Sequence, residues 1–203
     1  MDQSVVDVIR RRFNCEAEYK VLSDLTSVVL APDGKKFFVN PHASLYELVY
    51  SIGEILAHRK LEVLGFDNLT LNCSTIERET LSLLLPDNEF APHSNKPLSD
   101  LFVLFSFCSL ETLAKRILDF QQRILTIWNN YEIILRRAAR GMEFSKNPLP
   151  FETECMQYAY KTKSCIIRKH ENQGIRCDSF FQAEKEKRIN KIIMLTQFPE
   201  AEI

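Results

Sequence analysis

Along this 203-residue chain the spacing of the apolar residues changes several times, and each change marks an element. From Leu45 to Leu64 they fall at Leu45, Leu48, Val49, Ile52, Ile55 and Leu56. That is the i, i+3, i+4, i+7 stripe of a helix with one buried face. Ser44 and Glu47 form a capping box in front of it, and Gly65 follows as a stop. Gly53 lies mid-helix, where glycine costs about 1 kcal/mol against alanine, so a neighbour is expected to pack closely there. Upstream, Val5, Val6, Ile9 and Phe13 predict a short helix. Glu16 to Leu22, Thr26 to Leu30 and Lys36 to Asn40 predict strands, being rich in β-branched and apolar residues, with a turn at Pro32-Asp33-Gly34.

Downstream, Ser74 and Glu77 give a second capping box, and Pro86 ends the helix that follows. Asp87 to Pro97, with its prolines and asparagines, predicts a loop, and Leu98 to Phe107 an apolar helix. Ser109 is placed to cap another helix. Its stripe of Leu113, Ala114, Ile117, Leu118, Leu125, Trp128, Tyr131, Leu135 and Ala138 continues to Gly141. Unbroken, it would span roughly 45 Å, with Phe120-Gln121 the place for a break. Phe144 to Pro150 reads as a linker, Asn172-Gln173-Gly174 as a turn, and the charged segment Gln182 to Met194 as a helix. No internal repeat or low-complexity tract interrupts the chain.

Hydrophobic residues make up 45% and charged residues 26%, a balance that buries a real core. The net charge of -1 draws the chain neither to nucleic acid nor to an acidic membrane. Without a charged-then-apolar leader or a run of eighteen apolar residues, it is expected to be soluble and cytoplasmic. The six cysteines are scattered with no C-x-x-C pair, so they are expected to be reduced thiols, several of them buried.

Four stretches in order carry a family resemblance. Leu48 to His58 (LVYSIGEILAH) keeps Gly53, Leu56 and His58 of a metallopeptidase helix. Glu77-Arg78-Glu79 leads to Leu83-Leu84-Leu85-Pro86, an acidic helix ending in proline. Leu101 to Phe105, Cys108-Ser109 and Ala114 to Leu118 follow as an apolar helix, a cap and a second helix, and the strand and turn from Val28 to Asn40 precede them all. Together they resemble the ImmA/IrrE family of zincin-like metallopeptidases, whose members cut helix-turn-helix repressors of phages, mobile elements or stress responses. The resemblance implies an α+β fold, with a small three-stranded sheet packed on the long central helix. It covers residues 1–120 as a zincin-like minimal domain. Residues 121–203 lie outside the resemblance and are expected to form a mainly helical extension.

The departures bear on chemistry. In H-E-x-x-H two histidines one turn apart hold one zinc, and the glutamate activates its water. In this register the first ligand becomes Tyr50, the base Ser51 and the second ligand Glu54, while Thr75 stands at the third-ligand position. Serine does not serve as a carboxylate base. The expectation is a degenerate site with no catalytic residue, metal or cofactor. The chain is then a non-catalytic regulator holding a protein partner, a DNA-binding repressor or another subunit, in the former cleft. Tyr50, Ser51, Glu54, His58, Glu77 and Glu79 are its candidate contacts. Two alternatives stand beside it. One is an active peptidase with a rearranged zinc site of Glu54, His58 and Glu79, or Glu77, with His42 or His93 from a loop. The other is an assembly subunit whose amphipathic helix over 110–140 drives oligomerisation.

The remaining groups have plainer readings. Arg10-Arg11-Arg12 and Arg136-Arg137 with Arg140 are expected on solvated helix faces rather than on phosphates. The Ser109 to Leu118 segment carries few basic residues for reading a DNA groove. Cys73, Cys108 and Cys155 are expected to be inert rather than nucleophiles, Phe102, Phe105 and Phe107 to be core, and His170 to be solvent-exposed.

Overall fold

Ser44 and Glu47 close the predicted capping box. The Glu47 N–H donates to Ser44 Oγ at 3.3 Å, and the Ser44 N–H to Glu47 Oε2 at 2.8 Å. They start the central helix α2, Leu45–Val63, and Gly65 ends it in the left-handed region at φ +86°. The computed structural model describes residues 3–23, 26–66, 72–170, 172–184 and 189–199. These fall into two compact units, one of residues 1–90 with 105–109 and one of 91–104 with 110–203.

The first unit begins with α1 (Gln3–Phe13), then β1 (Glu16–Tyr19), β2 (Val28–Leu30) and β3 (Lys36–Val39) ahead of α2. The sheet order is β1-β3-β2, with β1 parallel and β2 antiparallel to the middle strand. Phe37 and Val39 of β3, Val28 of β2 and Ile9 of α1 are buried with Leu48 and Ile52 of α2. The expected three-stranded sheet on a long helix is therefore what forms. Next comes α3, Cys73–Leu84, then α4, Asp87–Phe90, where a loop was expected. Gly53 is where α2 meets α3: a Cβ there would lie 3.1 Å from Leu84 Cδ2 and 3.3 Å from Thr80 Cγ2. The close packing expected at this glycine is present.

The second unit corrects the reading of the C-terminal half. After a 3-10 turn at Ala91–His93 and α5 (Leu98–Leu104), α6 is only Leu110–Ile117. The predicted long helix stops there, and its apolar stripe continues as strands β4 (Arg123–Asn129) and β5 (Glu132–Ala138). With α7 (Pro150–Thr162), β6 (Ile166–Lys169), β7 (Arg176–Glu184) and β8 (Ile189–Gln197), the segment 121–203 is mainly sheet, not a helical extension. The Gln182 to Met194 segment is likewise strand at both ends, with 185–188 outside the described residues. The strands form an antiparallel sheet in the order β5-β4-β8-β7-β6. Trp128, Ile192, Met194 and Cys177 on one face bury Phe151, Cys155, Met156 and Ala159 of α7, while α6 packs beside β4 and β8. An assembly role for a helix over 110–140 loses its element. Among the described residues no helix is long and apolar enough to cross a membrane.

Candidate functional site

The helical repeat puts Tyr50, Glu54 and His58 of α2 on one face, each a turn above the last. They line a cleft of about 520 Å³, closed on its other side by Cys73, Ser74, Ile76 and Glu77 from the start of α3. The placement of α3 depends on Asn72, its N-cap, whose Oδ1 accepts the Thr75 N–H at 2.8 Å and the Ser74 hydroxyl at 2.6 Å. The cap is therefore Asn72 and not the predicted pair of Ser74 and Glu77. Because Gly53 carries no side chain, the two helices approach closely along this length.

Of the residues singled out in the sequence, Tyr50, Glu54, His58 and Glu77 meet in this cleft. Ser51, expected from the resemblance at the base position, is half-buried outside the cleft lining. Thr75, expected from the resemblance at the third-ligand position, donates its hydroxyl to Asn72 Oδ1 at 3.0 Å. Glu79 accepts from Lys60 Nζ at 2.5 Å and takes no part in the lining. Among the described residues no group of three His, Cys, Asp or Glu side chains is placed to hold a metal ion. Two carboxylates, an imidazole, a phenol and a thiol along one groove suit hydrogen bonding to an extended peptide, with a bias toward basic or amide-bearing side chains. Cys73 and Ile76 were not among the expected cleft contacts, and only the Asn72 cap that starts α3 would have placed them there.

The other groups resolve locally. Arg12 donates to Glu89 Oε2 at 2.5 Å and to the Leu84 carbonyl, and lies over the Phe107 ring, so it braces the first unit. Arg136 is not on a solvated helix face: it lies on β5, in a buried ion pair with Glu152. Phe105 is core, packed on Phe90 and Phe107 at centroid distances of 5.5 and 6.4 Å. Cys108 and Cys155 are buried and Cys73 is exposed. His170 is half-buried rather than exposed, edge-on to Phe151 at 5.1 Å.

No protein-family model matches the chain, and no curated protein matches it. Its fold is shared with a solved structure described as a Mycobacterium tuberculosis transcriptional regulator. The TM-score is 0.65 at 15% identity, over 96% of this chain and 68% of that one. The likeness is one of fold; this chain's own architecture is α+β, with one small and one larger sheet.

Proposed function

We propose that this chain is a non-catalytic regulatory protein, an ImmA/IrrE-like pseudo-peptidase that holds a protein partner in the cleft between α2 and α3. One observation carries the reading. Tyr50, Glu54 and His58 occupy one wall of a cleft, in a stretch whose sequence resembles a peptidase helix with a phenol and a hydroxyl where that resemblance would put the first ligand and the base. The partner we infer is a segment of a helix-turn-helix repressor, presented with basic or amide side chains toward Glu54 and Glu77. The description of the fold neighbour as a transcriptional regulator supports a regulatory setting.

A photo-crosslinking amino acid at position 50, followed by mass spectrometry, identifies the bound segment in the native host. The expected product is an intact repressor-like protein, lost in the Glu54→Lys, Glu77→Lys double variant. Zinc-dependent cleavage of that partner by the pure protein overturns the reading and favours the rearranged peptidase site.

A further inference from the structure

Arg123, Gln197 and Arg176 form a row across one end of the five-stranded sheet. Gln197 of β8 is paired with Arg123 on β4 and with Arg176 on β7, so the three side chains share a face. Asp178, two residues along β7, shares it too. Its Oδ1 accepts from Arg176 Nε at 2.7 Å and its Oδ2 from Arg123 Nη1 at 3.4 Å. Gln197 Oε1 accepts from Arg123 Nη2 at 3.2 Å. Among the described residues, two guanidiniums face this one carboxylate, one positive charge more than it neutralises.

Arg123 is only 6% exposed, and its Nε is buried with no hydrogen-bond partner among the described residues. A buried cation in that state is costly unless a further negative group approaches. Burial pushes the Arg123 guanidinium pKa down, Asp178 opposes that shift, and Arg176 adds to it. The row opens into a cavity of about 910 Å³ whose walls include Phe120, Met142 and Phe198 beside the Gln122 amide. Gln121 fixes the cavity's edge by donating to the Ser94 carbonyl at 2.7 Å. The size is that of pockets holding drug-sized molecules, roughly 300–1,000 Å³.

We propose that this cavity is a ligand site for a small organic anion, one carboxylate or phosphate group on a flat, largely hydrocarbon body. The anionic group seats on the cavity side of Arg123 and Arg176, drawn by the charge that Asp178 leaves over, and a planar guanidinium such as that of Arg176 can offer its oxygens paired N–H groups. The body lies along Phe120, Met142 and Phe198. All of these residues belong to the second unit, so the inference stands independently of the partner-cleft reading.

Calorimetric titration of the full chain with benzoate, phenyl phosphate, benzamide and inorganic phosphate tests it. Saturable binding of benzoate assigns a carboxylate, and of phenyl phosphate a phosphate; either supports the site. The Arg176 side chain is 31% exposed, so Arg176→Gln is expected to fold and to bind the anion at least about tenfold more weakly. Gln122→Glu, which leaves the ion pairs intact, is expected to weaken the anions and spare benzamide. Absence of saturable binding by either aromatic anion overturns the proposal. So does benzamide binding as tightly as benzoate, inorganic phosphate binding in place of the aromatic anions, or unchanged anion affinity in both variants.

Discussion

Arg136 and Glu152 join strand β5 to the first turn of α7 through two parallel hydrogen bonds, Nη1 to Oε1 at 3.1 Å and Nη2 to Oε2 at 2.9 Å. Both side chains are sealed from water, at 5% and 0% exposure. The carboxylate also accepts the Thr196 hydroxyl at 2.6 Å and the Leu149 N–H at 2.7 Å, and the Arg136 Nε donates to the Ser145 carbonyl at 3.0 Å. A buried pair with its remaining valences satisfied is favourable, whereas one partner left alone is an uncompensated charge. Glu152→Ala is expected to cost about 3–5 kcal/mol, read from the urea midpoint of the second unit. The double variant Glu152→Ala, Arg136→Met is expected to cost less than the two single changes added together.

This network was hidden in the sequence for the same reason that the sheet around it was. Strand β4 has six consecutive buried residues, Arg123 to Trp128, so it shows no alternation of apolar and polar positions. Its apolar residues then fit a helical stripe as well as a strand. The local signs of strand were the β-branched Ile124, Thr126 and Ile127 and the asparagine pair, Asn129 and Asn130, that leads into the turn. Asn130 and Tyr131 adopt φ +46° and +74°, the left-handed pair of a tight hairpin. The partner strand β8 lies far along the chain, and pairing at that separation leaves no local trace. The first unit was legible because its elements carry their own signals: a capping box, a mid-helix glycine, and a proline after α3. The cleft was legible in part: the resemblance singled out Tyr50, Glu54 and His58, and helical spacing puts the three on one face. Cys73 and Ile76 depended on a cap at Asn72, which two competing cap residues close behind it, Ser74 and Thr75, obscured.

Gly53 sets the separation of α2 and α3. Alanine there gains about 1 kcal/mol of helix propensity, but its Cβ would press on Leu84 at 3.1 Å, and overpacking costs roughly 1–3 kcal/mol. Gly53→Ala is expected to be destabilising by about 1 kcal/mol, and Gly53→Val by about 3 kcal/mol with partial loss of partner capture. Urea unfolding and the crosslinking yield at position 50 check both. A Gly53→Val protein of unchanged stability would show that the helices have room to separate.

The two caps of the cleft helices differ in an informative way. Ser44→Ala and Asn72→Ala are each expected to lose about 1 kcal/mol, because each removes the side-chain acceptor of a first-turn helix N–H. Ser74→Ala is expected to lose less, since Ser74 only donates to the Asn72 side chain. Thermal unfolding of the three variants separates the cap that forms from the one that the sequence suggests.

The cysteines provide a test in which burial, acidity and the cleft meet. Cys73 and Cys165 are exposed, while Cys108, Cys155 and Cys177 are buried. Burial pushes the Cys108 thiol from its ordinary 9.0 up to about 12, against the pull of Arg12. A hydrogen bond with Cys155, and then burial, pushes Cys177 up as well. A maleimide at pH 7.5 is expected to label Cys73 and Cys165 readily and to spare the buried three until the chain unfolds, as peptide mass mapping will show. Between about pH 9 and 12 the folded state keeps the Cys108 proton that the unfolded state has lost. This contribution to stability is therefore whole below pH 9 and falls away as pH climbs toward 12. Cys108→Ala is expected to flatten that decline. Because Cys73 lines the cleft, its maleimide adduct is expected to block partner capture while leaving the unfolding midpoint unchanged. An adduct that captures the partner as well as the unlabelled protein does would place the partner elsewhere on the chain.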